Sequence, residues 1–186
     1  ILPFGFLLSG FALLVSYLGQ MNPQITPLMP VLVSPWLSIH VSLIMMSYAL
    51  LAFIMLNGIL ALCLRKKESE NNVSGNDAVQ DNRIEQLTLV SRLLLYPATF
   101  FLGAGIFLGA VWANVSWGRY WAWDPKEVWA LITFLVYGVA FHSQSLRIFR
   151  KPLFFHIYMI LAFLTVLMTY FGVNYVLGGM HSYANS

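Results

Sequence analysis

The sequence predicts an all-α membrane protein, a polytopic bundle of about five transmembrane helices forming one domain over residues 1–186. Of the 186 residues, 59% are apolar, 16% are aromatic and 9% are charged, and the mean hydropathy is +0.74. All 17 formally charged residues fall between Arg65 and Lys151. This composition excludes a water-soluble domain and a disordered chain. The net charge of +3 does not indicate a nucleic-acid partner, because the basic residues flank apolar runs.

Five apolar stretches approach or exceed the roughly 20 residues that a helix needs to cross a bilayer. The chain begins at Ile1 within such a stretch, which indicates a fragment or a trimmed N-terminus. Between the first two stretches, Gln20–Ser38 contains four prolines, which predicts an external loop or a short re-entrant segment. The predicted spans are Leu2–Leu18, Val41–Leu64, Leu93–Ala113, Val128–Leu146 and Leu153–Val176.

The distribution of lysine and arginine predicts the orientation of these spans. Five lysine and arginine residues lie in Arg65–Arg92 and three lie in Arg147–Lys151, whereas Gln20–Ser38 and the tail after Val176 contain none. By the positive-inside rule, the N-terminus is cytoplasmic and the C-terminus faces outward.

A cytoplasmic loop is therefore predicted over residues 65–91, and its polar part, Lys66–Asp81, is predicted to be flexible. From Asn82 onward, apolar residues recur at helical spacing. This pattern predicts either an interfacial helix or a plain extension of the third span.

Residues 112–129 form a tryptophan-rich segment with the sequence WANVSWGRYWAWDPKEVW, which holds five of the six tryptophans and is predicted to face outward. Trp117 and Trp121 are four positions apart and are expected to share a helical face, with Trp123 on another. Two interpretations remain open. The indole rings form an aromatic belt at the membrane interface, or they form a shelf for a large planar ligand such as a porphyrin.

The charged residues of this segment also allow two interpretations. Asp124, Pro125 and Glu127 have the spacing of a capping box before the fourth span, so both carboxylates have a structural explanation beside a functional one. Arg119 and Lys126 are basic residues on the outer side, against the orientation rule. They suggest an anionic partner such as haem propionates.

The four histidines divide between the two sides of the predicted bundle. His40 and His181 lie on the side of the tryptophan-rich segment, and a pair placed there is explained either by hydrogen bonding or as axial ligands of a haem iron. His142 and His156 lie on the inner side and are expected to be polar residues at helix ends. Cys63 is the only cysteine, which excludes an intrachain disulfide.

Three separated motifs resemble one family. The string WGRYWAWDPKE at 117–127 resembles the WGxxWxWDxKE pattern of the WWD domain, which occurs in haem-handling membrane proteins of cytochrome c assembly. The tail GVNYVLGGMHSYA at 172–184 and the stretch SPWLSIH at 34–40 resemble motifs of the CcsA type, also called ResC, of the two-component assembly system.

This resemblance implies a function in cytochrome c biogenesis. The protein would hold or export haem b, as a bound substrate, at the outer face of a bacterial inner (plasma) membrane or an equivalent energy-transducing membrane. It would present the haem to an apocytochrome c with a CXXCH motif, together with a ResB/CcsB-type partner, as a component of a cytochrome c synthetase (haem lyase).

The resemblance also implies residues that bind haem, and it assigns no catalytic residue. His40 and His181 would be the two axial ligands of the iron. The family also has an inner haem site with a histidine on an earlier span, and residues 1–39 contain no histidine. The residues that match the WWD pattern are Trp117, Gly118, Trp121, Trp123, Asp124, Lys126 and Glu127.

Three other functions compete with this one. The first is the haem-delivery component of the multi-subunit cytochrome c maturation pathway, which shares the tryptophan pattern but not the 172–184 tail. The second is a b-type cytochrome that transfers electrons, in which histidines near the middle of the spans would be expected. The third is a transporter without haem, for which charges within the spans would be expected.

Overall fold

The computed structural model describes residues 34–70, 77–142 and 145–177, and every regular element in these ranges is helical. Helix α1 spans Pro35–Glu70, α2 spans Asp77–Trp117, α3 spans Pro125–Val139 and α4 spans Pro152–Leu167. The last of these continues without a break as a π-helix over Met168–Leu177. Two short 3₁₀ helices, Ala140–His142 and Arg147–Arg150, lie between α3 and α4. The all-α prediction is confirmed.

Successive helices run antiparallel. Near one end of the α1–α2 pair, the Ser47 hydroxyl donates to the Ala98 carbonyl oxygen at 2.8 Å. Farther along α1 and farther back on α2, Asn57 Nδ2 donates to Ser91 Oγ at 3.3 Å. Helices α3 and α4 also run antiparallel. The Tyr158 hydroxyl donates to the Val136 carbonyl oxygen at 2.7 Å, and Thr133, earlier on α3, lies 3.1 Å from Thr169, just beyond the end of α4. The result is an up-and-down bundle.

The two ends of this bundle differ in chemistry. We call one the tryptophan end, because the end of α2 and the start of α3 place residues 112–129 there. The opposite one, the basic end, carries the 3₁₀ helix Arg147–Arg150 and Lys151. Arg92 ties α2 to it by donating from Nη2 to the Phe149 carbonyl oxygen at 2.6 Å. Each helix therefore has one terminus at the tryptophan end.

Three of the described helices are long and apolar enough to cross a membrane. They are Pro35–Arg65 with 31 residues, Asp81–Trp117 with 37 and Pro152–Tyr175 with 24. Their outward surfaces carry large apolar side chains, such as Phe100 and Phe107, each 68% exposed. Such surfaces suit lipid, and the chain is a membrane protein.

The other two predicted spans are not established. The first, Leu2–Leu18, lies outside the described residues. In the region of the fourth predicted span, helix α3 has only 15 residues. At 1.5 Å per residue this helix is about 22 Å long, which is shorter than the hydrocarbon core of a bilayer. A total of five spans, and their orientation, stay predictions.

The structure corrects two predicted boundaries and decides between the two alternatives for the segment from Asn82. Helix α1 begins at Pro35, inside the predicted external loop, because proline fits the first position of a helix. The predicted loop over 65–91 is helical up to Glu70 and again from Asp77, and only 71–76 lie outside the described residues. Lysine and glutamate are good helix formers and extend α1 beyond its apolar stretch. The segment from Asn82 is a plain extension, since α2 is continuous up to Trp117.

The core of the bundle contains both apolar and polar side chains. Leu51, Ile54 and Met159 are fully buried, and so is His156. His156 was predicted to be a polar residue at a helix end, but its ring is fully buried and its Nε2 lies 2.9 Å from Thr88 Oγ1. His156 thus lies near the start of α4 as predicted, but it is buried because α4 turns this face toward α2 and not toward the surface.

Candidate functional site

A cavity of about 180 Å³ opens at the tryptophan end, between α1, α2, the start of α3 and the π-helix. Its wall is mainly apolar and aromatic, with a few polar groups. This composition is typical of sites that bind an organic ligand and orient it through a small number of polar contacts. Its aromatic and polar lining residues include His40, Trp112, Trp121, Lys126, Glu127 and Tyr170.

His40 contributes an oriented imidazole to this wall. Its Nδ1 lies 2.7 Å from the carbonyl oxygen of Gly105. A carbonyl oxygen only accepts hydrogen bonds, so Nδ1 carries the proton and the lone pair of the neutral ring is on Nε2. A backbone carbonyl that fixes the tautomer in this manner is a common support for histidines that ligate metals.

Two glycines of α2 allow α1 to come close enough for this hydrogen bond. A Cβ atom at Gly109 would lie 2.7 Å from His40 Cε1, and one at Gly105 would lie 2.6 Å from Ile44 Cδ1. The GxxxG spacing in an apolar helix is a known signal for close helix packing. Sequence reasoning did not use this signal, although Gly105 and Gly109 carry it.

Gly118 determines where the tryptophan-rich segment leaves α2. Its φ is +73°, and its amide donates to the Asn114 carbonyl oxygen at 2.9 Å. This is the geometry in which glycine ends a helix. Since residues 118–124 are not helical, Trp117 and Trp121 do not share a helical face, and that prediction is wrong.

The indole rings instead pack in two edge-to-face pairs. Trp117 packs against Trp112 with ring centroids 4.9 Å apart, and Trp121 packs against Trp123 at 6.0 Å. Trp112 and Trp121, one member of each pair, line the cavity. The pairs therefore place a tryptophan from the end of α2 and one from the following loop on the same wall.

Trp123 has a strained backbone. Its φ is +57°, and its side chain is 74% exposed. A bulky residue at positive φ costs of order 1–3 kcal/mol and persists where the surroundings impose it. Strain of this kind concentrates at functional sites, which makes Trp123 a candidate for contact with a ligand or partner.

The two carboxylates of the segment form the predicted capping box of α3. Asp124 is 5% exposed and its Oδ1 accepts from the Lys126 amide at 3.0 Å. Glu127 Oε2 accepts from the amides of Ala122 at 2.8 Å and Asp124 at 3.2 Å. The structural interpretation is confirmed for both residues, and Glu127 in addition lines the cavity.

Lys126 brings a positive charge to the cavity wall. Its Nζ donates to Asn174 Oδ1 on the π-helix at 2.8 Å. Burial lowers the pKa of Lys126, and the nearby Asp124 carboxylate opposes this effect in part. Arg119, the other basic residue predicted to meet an anion, is exposed and does not line the cavity.

The predicted site residues thus separate into groups. The cavity brings together His40, Trp121, Lys126 and Glu127. His181 lies outside the described residues. His142 is exposed where α3 ends, and its Nδ1 lies 3.2 Å from the Gly138 carbonyl oxygen. The predicted site residues that do not line the cavity are Trp117, Gly118, Arg119, Trp123 and Asp124.

Fold and site together define a helical membrane protein with an aromatic, partly basic cavity at one end of its bundle. Residues 1–181 match the family described as Cytochrome C assembly protein. The chain belongs to this family.

Individual relatives agree with this assignment. The chain is 39% identical over 185 residues to the cytochrome c biogenesis protein CcsA of Chlamydomonas reinhardtii, covering 98% of this chain and 50% of the relative. It is 34% identical over 207 residues to CcsA of Prochlorococcus marinus (strain NATL1A), covering 97% and 64%. Protein NrfI of Wolinella succinogenes is 40% identical over 178 residues, covering 96% and 19%. The chain thus spans less than two thirds of the length of these relatives.

Proposed function

We propose that this chain is the haem-holding part of a CcsA-type cytochrome c assembly protein, which binds haem b as a substrate at the tryptophan end and presents it for attachment to apocytochrome c. One observation carries the proposal. The His40 imidazole, oriented by the Gly105 carbonyl oxygen, lines a cavity that is also walled by Trp112 and Trp121. Imidazole nitrogen is an axial ligand of haem iron, and indole rings suit the face of a porphyrin.

The cavity is too small to enclose a whole porphyrin, and its size instead suits a site that holds part of the ligand and presents the rest. Its volume is about 180 Å³, whereas pockets that enclose a whole small molecule measure about 300–1,000 Å³. A porphyrin held by one face and one edge leaves its other edge accessible. An apocytochrome needs such access to reach the vinyl groups.

His181 is proposed as the second axial ligand. It follows Leu177, the last described residue, by four positions. Four residues span at most about 14 Å when extended. Asn174, three positions before Leu177, already contacts the cavity residue Lys126, so the chain reaches the neighbourhood of the cavity before His181.

The protein's contribution to the reaction is positioning. Haem supplies two vinyl groups, and each CXXCH thiol of the acceptor adds across one of them, forming a carbon–sulfur bond with no net oxidation. His40 fixes the iron, the tryptophans fix the ring plane, and Lys126 offers a charge to a propionate. As a component of a cytochrome c synthetase, the chain would function with a ResB/CcsB-type partner.

The charge distribution supports an outward-facing site. The basic end carries Arg147, Arg150 and Lys151, and positively charged segments favour the cytoplasmic side. The tryptophan end would then face the periplasm, or the equivalent compartment, of a bacterial inner membrane or a related energy-transducing membrane. In this arrangement the five predicted spans place the N-terminus inside.

Replacing each proposed ligand by glycine tests the function. We expect His40→Gly and His181→Gly, expressed in the full-length protein with its membrane partner, to lose bound haem or shift its Soret and α bands. Added imidazole should restore the spectrum by filling the vacated position. Ser42→Gly is the matched control, because Ser42 is exposed on the same helix two positions from His40. Unchanged haem content and spectra in both histidine variants would refute the ligand assignment.

A reporter cytochrome separates this function from the multi-subunit maturation pathway. Coexpression of the full-length protein with only a ResB/CcsB-type partner should mature the reporter. A requirement for a soluble haem chaperone would instead support the haem-delivery alternative.

A further inference from the structure

Asn174 holds the ammonium group of Lys126 in a defined position. Lys126 follows the N-cap of α3, whereas Asn174 lies 48 positions later on the π-helix. The Lys126 ammonium donates to Asn174 Oδ1 at 2.8 Å, and Asn174 Nδ2 donates to the Tyr170 carbonyl oxygen at 2.6 Å. Since Nδ2 is engaged with its own helix, the amide oxygen is directed to the lysine.

The π-helix brings this amide to Lys126, which lines the cavity. Thr169 and Tyr170, in its first turn, line the cavity, and Asn174 follows Tyr170 by four positions. A π-helix has a wider turn than an α-helix, and π-helical segments frequently coincide with functional sites. The change of winding at Met168 thus alters which side chains α4 presents at the tryptophan end.

The chemistry of the contact preserves the charge of the lysine. An amide oxygen is neutral, so it holds the ammonium in place without cancelling its charge. The two nearby carboxylates, Asp124 and Glu127, accept hydrogen bonds from backbone amides at the start of α3. The Lys126 ammonium is the cation in a mainly apolar wall that also contains Glu127, and a cation in this position is suited to a carboxylate of a bound ligand.

We propose that Asn174 is a positioning residue, which holds Lys126 Nζ at the cavity wall so that it binds a carboxylate of the ligand. This inference rests on the proposed function, in which the carboxylate is a propionate of haem. It adds a specific role for Asn174 and predicts that the site discriminates between ligands by their carboxylates.

Haem and haem dimethyl ester form a matched pair of probes, because the ester lacks free carboxylates. In the full-length protein with its partner, we expect the wild type to bind haem about tenfold more tightly than the ester, as one charge-assisted hydrogen bond provides. Lys126→Met should abolish this preference, and Asn174→Ala should remove most of it. The double variant should resemble Lys126→Met.

Asn174→Asp separates positioning from a general structural role. An aspartate at this position would still attract the lysine but would neutralise it, so the variant should lose the preference for haem while it still binds the ester. Tyr175→Phe is the control on the same π-helix, because Tyr175 is 58% exposed. It should keep the preference of the wild type.

The possible failures are distinguishable. Equal weakening of haem and ester by Asn174→Ala would overturn the positioning role. A wild type that binds both probes equally would overturn the carboxylate contact and leave the proposed function intact. A wild type that binds neither probe would refute the proposed function and this inference together.

Discussion

The imidazole of His40 is held by the backbone of the neighbouring helix, with its Nδ1 2.7 Å from the carbonyl oxygen of Gly105, 65 positions away in the sequence. Through this contact, the packing of α1 on α2 determines the tautomer and the orientation of the proposed iron ligand. A carbonyl on a helix is a rigid acceptor, so the direction of Nε2 is determined by the helix–helix distance.

Gly109→Ala tests this coupling. A Cβ atom at Gly109 would lie 2.7 Å from His40 Cε1, so the imidazole has to move. We expect a loss of about 1–3 kcal/mol in unfolding free energy from overpacking, a weaker haem affinity and a changed Soret band. Absorption titration and unfolding in detergent measure these effects.

Gly138→Ala is the control for that substitution, because a Cβ atom at Gly138 meets nothing within 4 Å. Alanine should leave haem binding unchanged and stabilise α3 by about 0.5–1 kcal/mol. Wild-type spectra and affinity in Gly109→Ala would show that the glycine is not required to place His40.

Trp123→Gly should separate stability from function. Glycine adopts the φ of +57° without strain, and the indole that is lost is 74% exposed. We expect the unfolding free energy to be unchanged or to rise by about 1 kcal/mol, while haem retention or transfer to apocytochrome falls. A variant that is as active as the wild type would show that the strain at Trp123 has no role in binding or transfer.

Two substitutions of Glu127 distinguish a role in helix capping from a role in ligand binding. Its Oε2 accepts from the amides of Ala122 and Asp124, and the side-chain carbonyl of glutamine accepts in the same manner. We expect Glu127→Gln to keep most of the stability and haem binding, whereas Glu127→Ala costs about 1 kcal/mol. If glutamine impairs haem binding as much as alanine does at equal stability, the charge of Glu127 has a direct role in the site.

Lys126 should make stability depend on alkaline pH. Burial lowers the pKa of Lys126 below the ordinary value of 10.5. Between the lowered pKa and 10.5, the unfolded chain binds more protons than the folded one, so the unfolding free energy rises with pH. Unfolding measured over this window without haem should show the rise, and Lys126→Met should flatten it. Haem affinity should change in the opposite direction, because a deprotonated amine attracts no carboxylate.

Local patterns predicted the parts of the site that local interactions determine. The capping box at Asp124 and Glu127 needs only neighbouring amides, and it formed as its spacing indicated. The prediction that Trp117 and Trp121 share a helical face is wrong, because it extends the helical spacing beyond the end of α2. Gly118, between them, ends the helix, and its glycine identity was the available signal.

Contacts over long sequence separations could not be predicted in this manner. The bond from His40 to Gly105 depends on the crossing of two helices, although the GxxxG spacing indicated a close approach. The bond from Lys126 to Asn174 depends on the π-helical winding after Leu167, for which the sequence showed no pattern. Both require the packed bundle.

The buried pair of Thr88 and His156 tests the polar part of the core. The Thr88 hydroxyl donates to the Ile84 carbonyl oxygen at 2.8 Å, so at 2.9 Å it accepts from His156 Nε2. His156 Nδ1 is then an acceptor, and it has no hydrogen-bond partner among the described residues. One side of this imidazole is satisfied and the other is not.

This asymmetry predicts a non-additive pair of substitutions. Thr88→Val leaves a buried Nε2–H without its acceptor, which costs about 1–3 kcal/mol. His156→Leu removes the unsatisfied Nδ1 as well and leaves Thr88 bonded to Ile84, so it should cost less. The double variant should be more stable than Thr88→Val alone, because no polar ring then lacks a partner. Additive losses in detergent unfolding would contradict the hydrogen bond, and a loss of cytochrome maturation at wild-type stability would assign His156 a functional role instead.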